Sequence, residues 1–366
     1  MKITTISLYQ VELPIIDGYQ FAKGKRVDTA DSTVVRIDTN AGLSGWGEAT
    51  PLGPFYLAAY AAGVRTGIAA LAPHLIGRDP LRLGELNAVM DRELKGHPYV
   101  KSPIDVACWD LLGQAAGLPV HALLGGRRQD SAPLYWSVTQ GEPDTMRRMT
   151  AEARDKGYKI IQLKVGGDPV EDIARVQAGM ADAQAGEIFL CDANTGWTRM
   201  EALEVARRTA ELNYILEQPC ALYGDCLAVR RRAPQAFKLD ESLQSIEDVQ
   251  RALHDDACDV ACIKITKQGG LSKARLVRDL CAAQGIPMTV EDVWGGDVAA
   301  AAVGHLAIST PPECLLNTTD LNNYHSVHVA RGMPEPLAGR LRVSDTPGLG
   351  IEVDEAALGE PHAVYP

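Results

Sequence analysis

No stretch of the sequence is apolar for long enough to span a bilayer. The opening residues, MKITTISLYQVELP, alternate like a strand and have neither the apolar core nor the cleavage site of a secretory leader. A cytoplasmic protein is therefore expected. The eight cysteines form no CxxC pair, and Cys108, Cys191, Cys220, Cys262 and Cys281 sit in apolar or periodic contexts, so buried reduced thiols are expected. No HExxH or similar histidine spacing is present. No GxSxG accompanies a plausible triad. Gly166-Gly167 and Gly269-Gly270 lack the Lys-Ser/Thr that would make either a phosphate loop. Positive charge is also short: 36 Lys and Arg stand against 47 Asp and Glu, a formal net charge of -11. That balance argues against nucleic acid or an anionic membrane as partner, because both repel a broadly acidic surface. An anionic small molecule stays open, since one bound cation reverses the field inside a pocket.

What is present falls into two textures. Residues 1–125 read as an α+β unit. A strand over 1–13 is followed by 33–39 and 44–49 flanking the turn Asn40-Ala41-Gly42, then by three helical stretches, the last over 104–116. Leu123-Leu124-Gly125-Gly126 breaks the pattern, and residues 126–320 read as a barrel domain. There, short apolar runs alternate with amphipathic helices: 133–137, 159–165, 187–192, 214–217, 236–240, 259–265, 286–291 and 314–317. Spacings of roughly 25–30 residues suit one strand-plus-helix unit of a (β/α)8 barrel. Continuously apolar runs suit parallel strands buried on both faces. Residues 321–366 are rich in Gly and Pro and are expected to pack back on the first unit.

Six of the apolar runs end in a charged residue: Lys164, Asp192, Glu217, Asp240, Lys264 and Asp292. In such a barrel the C-terminal strand ends meet on one face, so these six side chains are expected to converge. Asp192, Glu217 and Asp240 come from three consecutive strands. Three carboxylates without His or Cys suit a hard cation, and Mg2+ is expected, one per site. Any one of them alone would read as a helix cap or loop salt bridge. Lys164 and Lys264 lie on either side of the trio. A single lysine there would read as snorkelling to solvent, but the pair reads as two opposed acid/base groups whose pKa values the cation and mutual repulsion should lower.

With these residues in place, the chain resembles the enolase superfamily, and within it the muconate lactonizing branch, along essentially its whole length. The resemblance includes His97-Pro98-Tyr99, Trp109-Asp110-Leu111-Leu112-Gly113 and the Leu123-Leu124-Gly125-Gly126 entry. It implies a modified (β/α)7β TIM barrel with an N-terminal α+β cap. It also implies Asp192, Glu217 and Asp240 as Mg2+ ligands, with Lys164 and Lys264 as bases removing a proton next to a substrate carboxylate. One departure stands out: the branch carries Lys-x-Lys on the second barrel strand, whereas this chain reads Gln162-Leu163-Lys164.

QLKVGGD, DANTGWTR, the Leu-Glu-Gln-Pro-Cys run and Glu291-Asp292-Val293-Trp294-Gly295-Gly296-Asp297 are similar to the cis-3-hydroxy-L-proline dehydratases and the related hydroxyproline-betaine 2-epimerases. Thr319-Asp320-Leu321-Asn322 resembles the dehydratase form, which implies Asp320 as the partner of a ring ammonium. Tyr56, Trp294 and Asp292 are further candidates for the substrate pocket. The activity implied is dehydration of cis-3-hydroxy-L-proline to pyrroline-2-carboxylate, with proline racemisation as a side reaction. The alternatives are a proline or hydroxyproline-betaine epimerase, a dipeptide epimerase or a cycloisomerase. A non-catalytic binding barrel would need no paired lysines. A small-molecule carboxylate is the expected partner, and a homo-oligomer is expected.

Overall fold

The computed structural model describes residues 1–333 and 336–366. Strands β1 (Ile3–Gln20), β2 (Arg26–Thr39) and β3 (Ser44–Ala49) form an antiparallel sheet, and β12 (Ala363–Tyr365) joins it at β1. Ile6, Leu8, Val35 and Ile37 of the sheet are fully buried against Ile68, Leu71 and Leu75 of α1 (Ala61–Leu75) and Ile104, Ala107 and Leu111 of α3 (Pro98–Ala116). The helix α2 (Leu83–Glu93) completes this layer. Helix α3 begins six residues earlier than the expected 104–116. Its first turn starts on Pro98, where proline's missing N–H costs nothing.

The larger difference lies in β1 and β2. The strand expected over 1–13 runs on to Gln20, and its partner begins at Arg26 rather than near residue 33. The pairing is interrupted between Pro14 and Tyr19 and resumes after a bulge, with Tyr19 opposite Val27. Asp17 and Gly18 adopt φ of 61° and 68°, which supplies the irregularity. The two strands thus form an arm that carries Tyr19 and Phe21 over the barrel mouth.

The barrel follows, with eight parallel strands in order: β4 (Tyr135–Val138), β5 (Ile160–Lys164), β6 (Ile188–Asp192), β7 (Ile215–Glu217), β8 (Ala236–Leu239), β9 (Val260–Lys264), β10 (Met288–Glu291) and β11 (Leu315–Thr318). A parallel bridge between Leu134 and Thr318 joins the last strand to the first. The helices α4 (Pro143–Asp155), α5 (Pro169–Met180), α6 (Arg199–Arg208), α7 (Tyr223–Arg230), α8 (Ile246–His254), α9 (Leu271–Ala283) and α10 (Asp297–Ile308) fill the seven connections. Directly after β11 comes a short 3-10 turn, Leu321–Tyr324, and among the described residues no eighth barrel helix follows it. The fold is therefore a (β/α)7β barrel beneath an α+β cap. Among the described residues no helix is long and apolar enough to cross a membrane.

Candidate active site

Strand register brings the site together. Lys164 on β5 is level with Asp192 on β6, Asp192 with Glu217 on β7, and Glu217 with Lys238 on β8. Across the barrel, Lys264 on β9 is level with Glu291 on β10. Lys164 and Lys264 end the second and sixth of eight strands, half the circumference apart. They line one cavity of about 20 Å3 with Asp192, Glu217 and Asp240. Strand alternation places Gln162, two residues before Lys164, on the same inward face.

Every carboxylate of the trio is buried and held by cations or amides. Lys164 Nζ donates to Asp192 Oδ2 at 2.5 Å and to Asn194 Oδ1 at 3.2 Å. Lys264 Nζ donates to Asp240 Oδ2 at 2.7 Å and to the Tyr56 hydroxyl, which itself donates to Asp240 Oδ2 at 2.8 Å. Lys267 Nζ donates to Asp240 Oδ1 at 2.7 Å. Glu217 accepts from Gln162 Nε2 at 2.9 Å and pairs with the fully buried Lys238 at 2.9 Å.

These contacts set the electrostatics. Burial, and then the charge of Asp192, push the Glu217 carboxyl up to about 7. Asp240, by contrast, is held well below the usual carboxylate range: burial acts to raise it, but Lys264, Lys267 and Lys238 together outweigh that. Burial alone acts to lower Lys164, but Asp192, Tyr19 and Glu217 hold it above its ordinary value. Asp240, Tyr56 and Glu291 do the same for Lys264. That direction follows from each ammonium lying against a carboxylate at hydrogen-bond distance, and the lowering expected from the sequence calls for a cation on those same carboxylates.

The donor set fits a hard divalent cation. Glu217, fully buried beside two other carboxylates and pushed up toward neutrality, is where added positive charge would relieve repulsion. Carboxyl oxygens of Glu217 and Asp240 lie within 4.8 Å of each other and of Cys262 Sγ, whereas Asp192 is turned toward Lys164. Cys262 is a poor third ligand for such an ion. Burial keeps its thiol protonated, and it donates to Glu291 Oε1 at 2.9 Å. Asp192 is the hard oxygen donor nearest in the ladder.

The comparisons with known proteins follow the same lines. Residues 4–125 match the mandelate racemase / muconate lactonizing enzyme N-terminal domain, and residues 145–357 match the enolase C-terminal domain-like family. The chain belongs to the enolase superfamily. It is 49% identical to the cis-3-hydroxy-L-proline dehydratase of Roseibium aggregatum, over the whole length of both chains. It is 29% identical to the N-succinyl-L-Arg/Lys racemase of Bacillus cereus, covering 98% of each. A mandelate racemase/muconate lactonizing enzyme structure from Roseovarius nubinhibens, complexed with magnesium, superposes over the full length of both chains with a TM-score of 0.96 at 36% identity. Like these superfamily relatives, the chain is an enzyme.

Of the remaining candidates, Tyr56 and Trp294 line the lysine cavity. Asp292 also reaches its wall, but its carboxylate is spent on Thr266 N and Oγ1 and Val293 N at 2.8–2.9 Å. Its neighbour Glu291 is the residue in register with Lys264, and it accepts from Tyr135. Asp320 is the clear correction. It does not line the lysine cavity, but lies in a separate cavity on the barrel flank, next to Tyr158 and Asn323. Its carboxylate bonds Tyr158 and Asn323 rather than either lysine, in a stretch where no eighth helix follows Thr318 among the described residues.

This superfamily site also gives a place to Gln162, the departure noted in the sequence, and draws on residues the motifs did not single out. Gln162 bridges Ser137 and Glu217, and Ser137 bonds the Tyr19 hydroxyl at 2.5 Å. Strand alternation could have found Lys238 and Cys262, each two residues before a charged strand end. Nothing local marks Tyr19, Phe21 or Tyr135.

Proposed function

We propose that the enzyme is a hydro-lyase that removes the α-proton and the 3-hydroxyl of cis-3-hydroxy-L-proline. The observation that carries this reading is the pair of buried lysines, Lys164 and Lys264, on opposite walls of one cavity beside three carboxylates. In this substrate the α-hydrogen and the 3-hydroxyl lie on opposite ring faces. One lysine, as the free amine once a cation held by the carboxylates lowers its pKa, takes the α-proton as the C–H bond breaks. The other, as ammonium, gives its proton to the departing hydroxyl as the C3–O bond breaks, and water leaves. The product enamine tautomerises to pyrroline-2-carboxylate. Mg2+, when held by Asp192, Glu217 and Asp240, supplies positive charge that stabilises the substrate carboxylate as charge develops on it. Tyr56, held between Lys264 and Asp240, fixes where the Lys264 ammonium sits. The arm residues Tyr19 and Phe21 close the cavity against water.

The test is a panel of hydroxyproline stereoisomers, L- and D-proline and N-methylated betaines, followed by proton NMR in D2O with added Mg2+ and again after exhaustive chelation. Cis-3-hydroxy-L-proline should lose water fastest, and chelation should abolish turnover until Mg2+ is restored. Faster epimerisation of a betaine than dehydration would sink the substrate assignment. Full activity without divalent metal would sink the cation assignment.

A further inference from the structure

Among the described residues, no helix fills the barrel flank where an eighth helix would pack in a complete (β/α)8 fold. Between β4, α4 and the segment after β11 lies a cavity of about 650 Å3, within the range of small-molecule sites. Trp136 points into it from the outer face of β4, while its neighbour Tyr135 points into the barrel. Three aromatic rings meet there, with Trp136 5.1 Å from Tyr158 and 5.8 Å from Tyr324 between centroids.

At its base sits Asp320, 3% exposed. Its Oδ2 takes a 3.2 Å hydrogen bond from Asn323 and a long 3.5 Å one from Tyr158. Its Oδ1 has no partner among the described residues. An unsatisfied buried carboxylate oxygen is costly unless something donates to it. Burial raises this carboxyl to about 6, which still leaves it ionised above neutrality. The aromatic wall also already accepts a cation, since the Lys156 ammonium lies 4.0 Å from the centre of the Trp136 ring. A buried acceptor beside electron-rich ring faces selects a positively charged N–H donor and disfavours an anion.

We propose that this flank cavity is a second binding site, distinct from the lysine cavity, for a small organic ammonium ion whose N–H donates to Asp320 Oδ1 and whose body lies against Trp136, Tyr158 and Tyr324. The two cavities share Tyr19 as a common wall.

The test uses isothermal titration of the full chain at pH 7.5, with benzylammonium as probe and benzyl alcohol as its neutral counterpart. Benzylammonium should bind, and benzyl alcohol should bind at least about tenfold more weakly. Asp320→Asn, close to isosteric, should weaken benzylammonium by a similar factor. Lys156→Ala changes an exposed side chain and uncovers the Trp136 face, so it should tighten binding about threefold or more. That arm reads the site whether or not Asp320→Asn folds. No binding by the parent at 10 mM probe (about 10 mM being the weak end of useful affinity) overturns the proposal, as does equal affinity in a folded Asp320→Asn or no tightening in Lys156→Ala. Binding that survives Asp320→Asn but is lost in Asp240→Asn would put the cation in the lysine cavity and equally overturn it.

Discussion

Lys164 and Lys264 occupy matching strand ends but answer to different neighbours: Asp192 and Asn194 for one, Asp240 and Tyr56 for the other. If each serves one face of the substrate, removing one lysine should split activities that the parent performs together. Lys264→Ala is expected to lose dehydration and racemisation by at least about 10^2-fold, the ordinary scale of a general acid or base. It should still exchange the α-proton of L-proline with D2O, because Lys164 can take and return it. Lys164→Ala should lose that exchange. Loss of L-proline exchange in both variants would mean that the two lysines act as one unit. The charged strand ends at this scale were readable because each follows a short apolar run. Which member of Glu291-Asp292 faces the cavity was not readable, since one residue of register reverses the face.

At the scale of the element, the cap depends on how closely β3 approaches α3. A Cβ added at Gly47 would lie 1.9 Å from the Pro103 carbonyl oxygen, and one at Gly45 would lie 2.2 Å from that of Ala107. Both obstacles are helix backbone, which cannot rotate aside. Gly47→Ala should therefore push the strand off the helix at a cost of roughly 1–3 kcal/mol or more. A thermal midpoint lowered by several degrees checks this, and an unchanged midpoint would show that the cap yields freely. The barrel strands were legible from apolar runs at regular spacing, and α3 from its periodicity. The β1–β2 arm was not, because Pro14 and Asp17-Gly18 imitate a turn, and only pairing with β2 shows that the strand resumes.

Across the whole molecule, His305 of α10 ties three distant segments together. Its Nδ1 accepts from the His121 amide at 3.1 Å, and its Nε2 faces the Leu349 carbonyl at 3.0 Å. Burial, more than any neighbour, lowers its pKa to about 4, against an ordinary 6.5. Protonation would set a second N–H against the His121 amide. The neutral ring's contribution is therefore present above pH 6.5 and lost as pH falls through that value toward 4. By pH 5 the loss is about 2 kcal/mol. Thermal midpoints measured from pH 7.5 to 5 should fall more steeply in the parent than in His305→Asn. Parallel profiles would remove His305 from the acid response.

The barrel, the order of strands and helices in the cap and the chemistry-bearing strand ends are written in the sequence. Periodicity and strand-terminal charge are local properties, and parallel strands necessarily bring their C-terminal ends to one face. Tertiary structure alone decided what surrounds those ends. It laid Tyr19 and Phe21 over the cavity from a remote arm, turned Asp292 onto Thr266, and placed Asp320 in the separate flank cavity. Each of these depends on what lies across a gap in space, and residues that meet there can be more than a hundred positions apart in the chain.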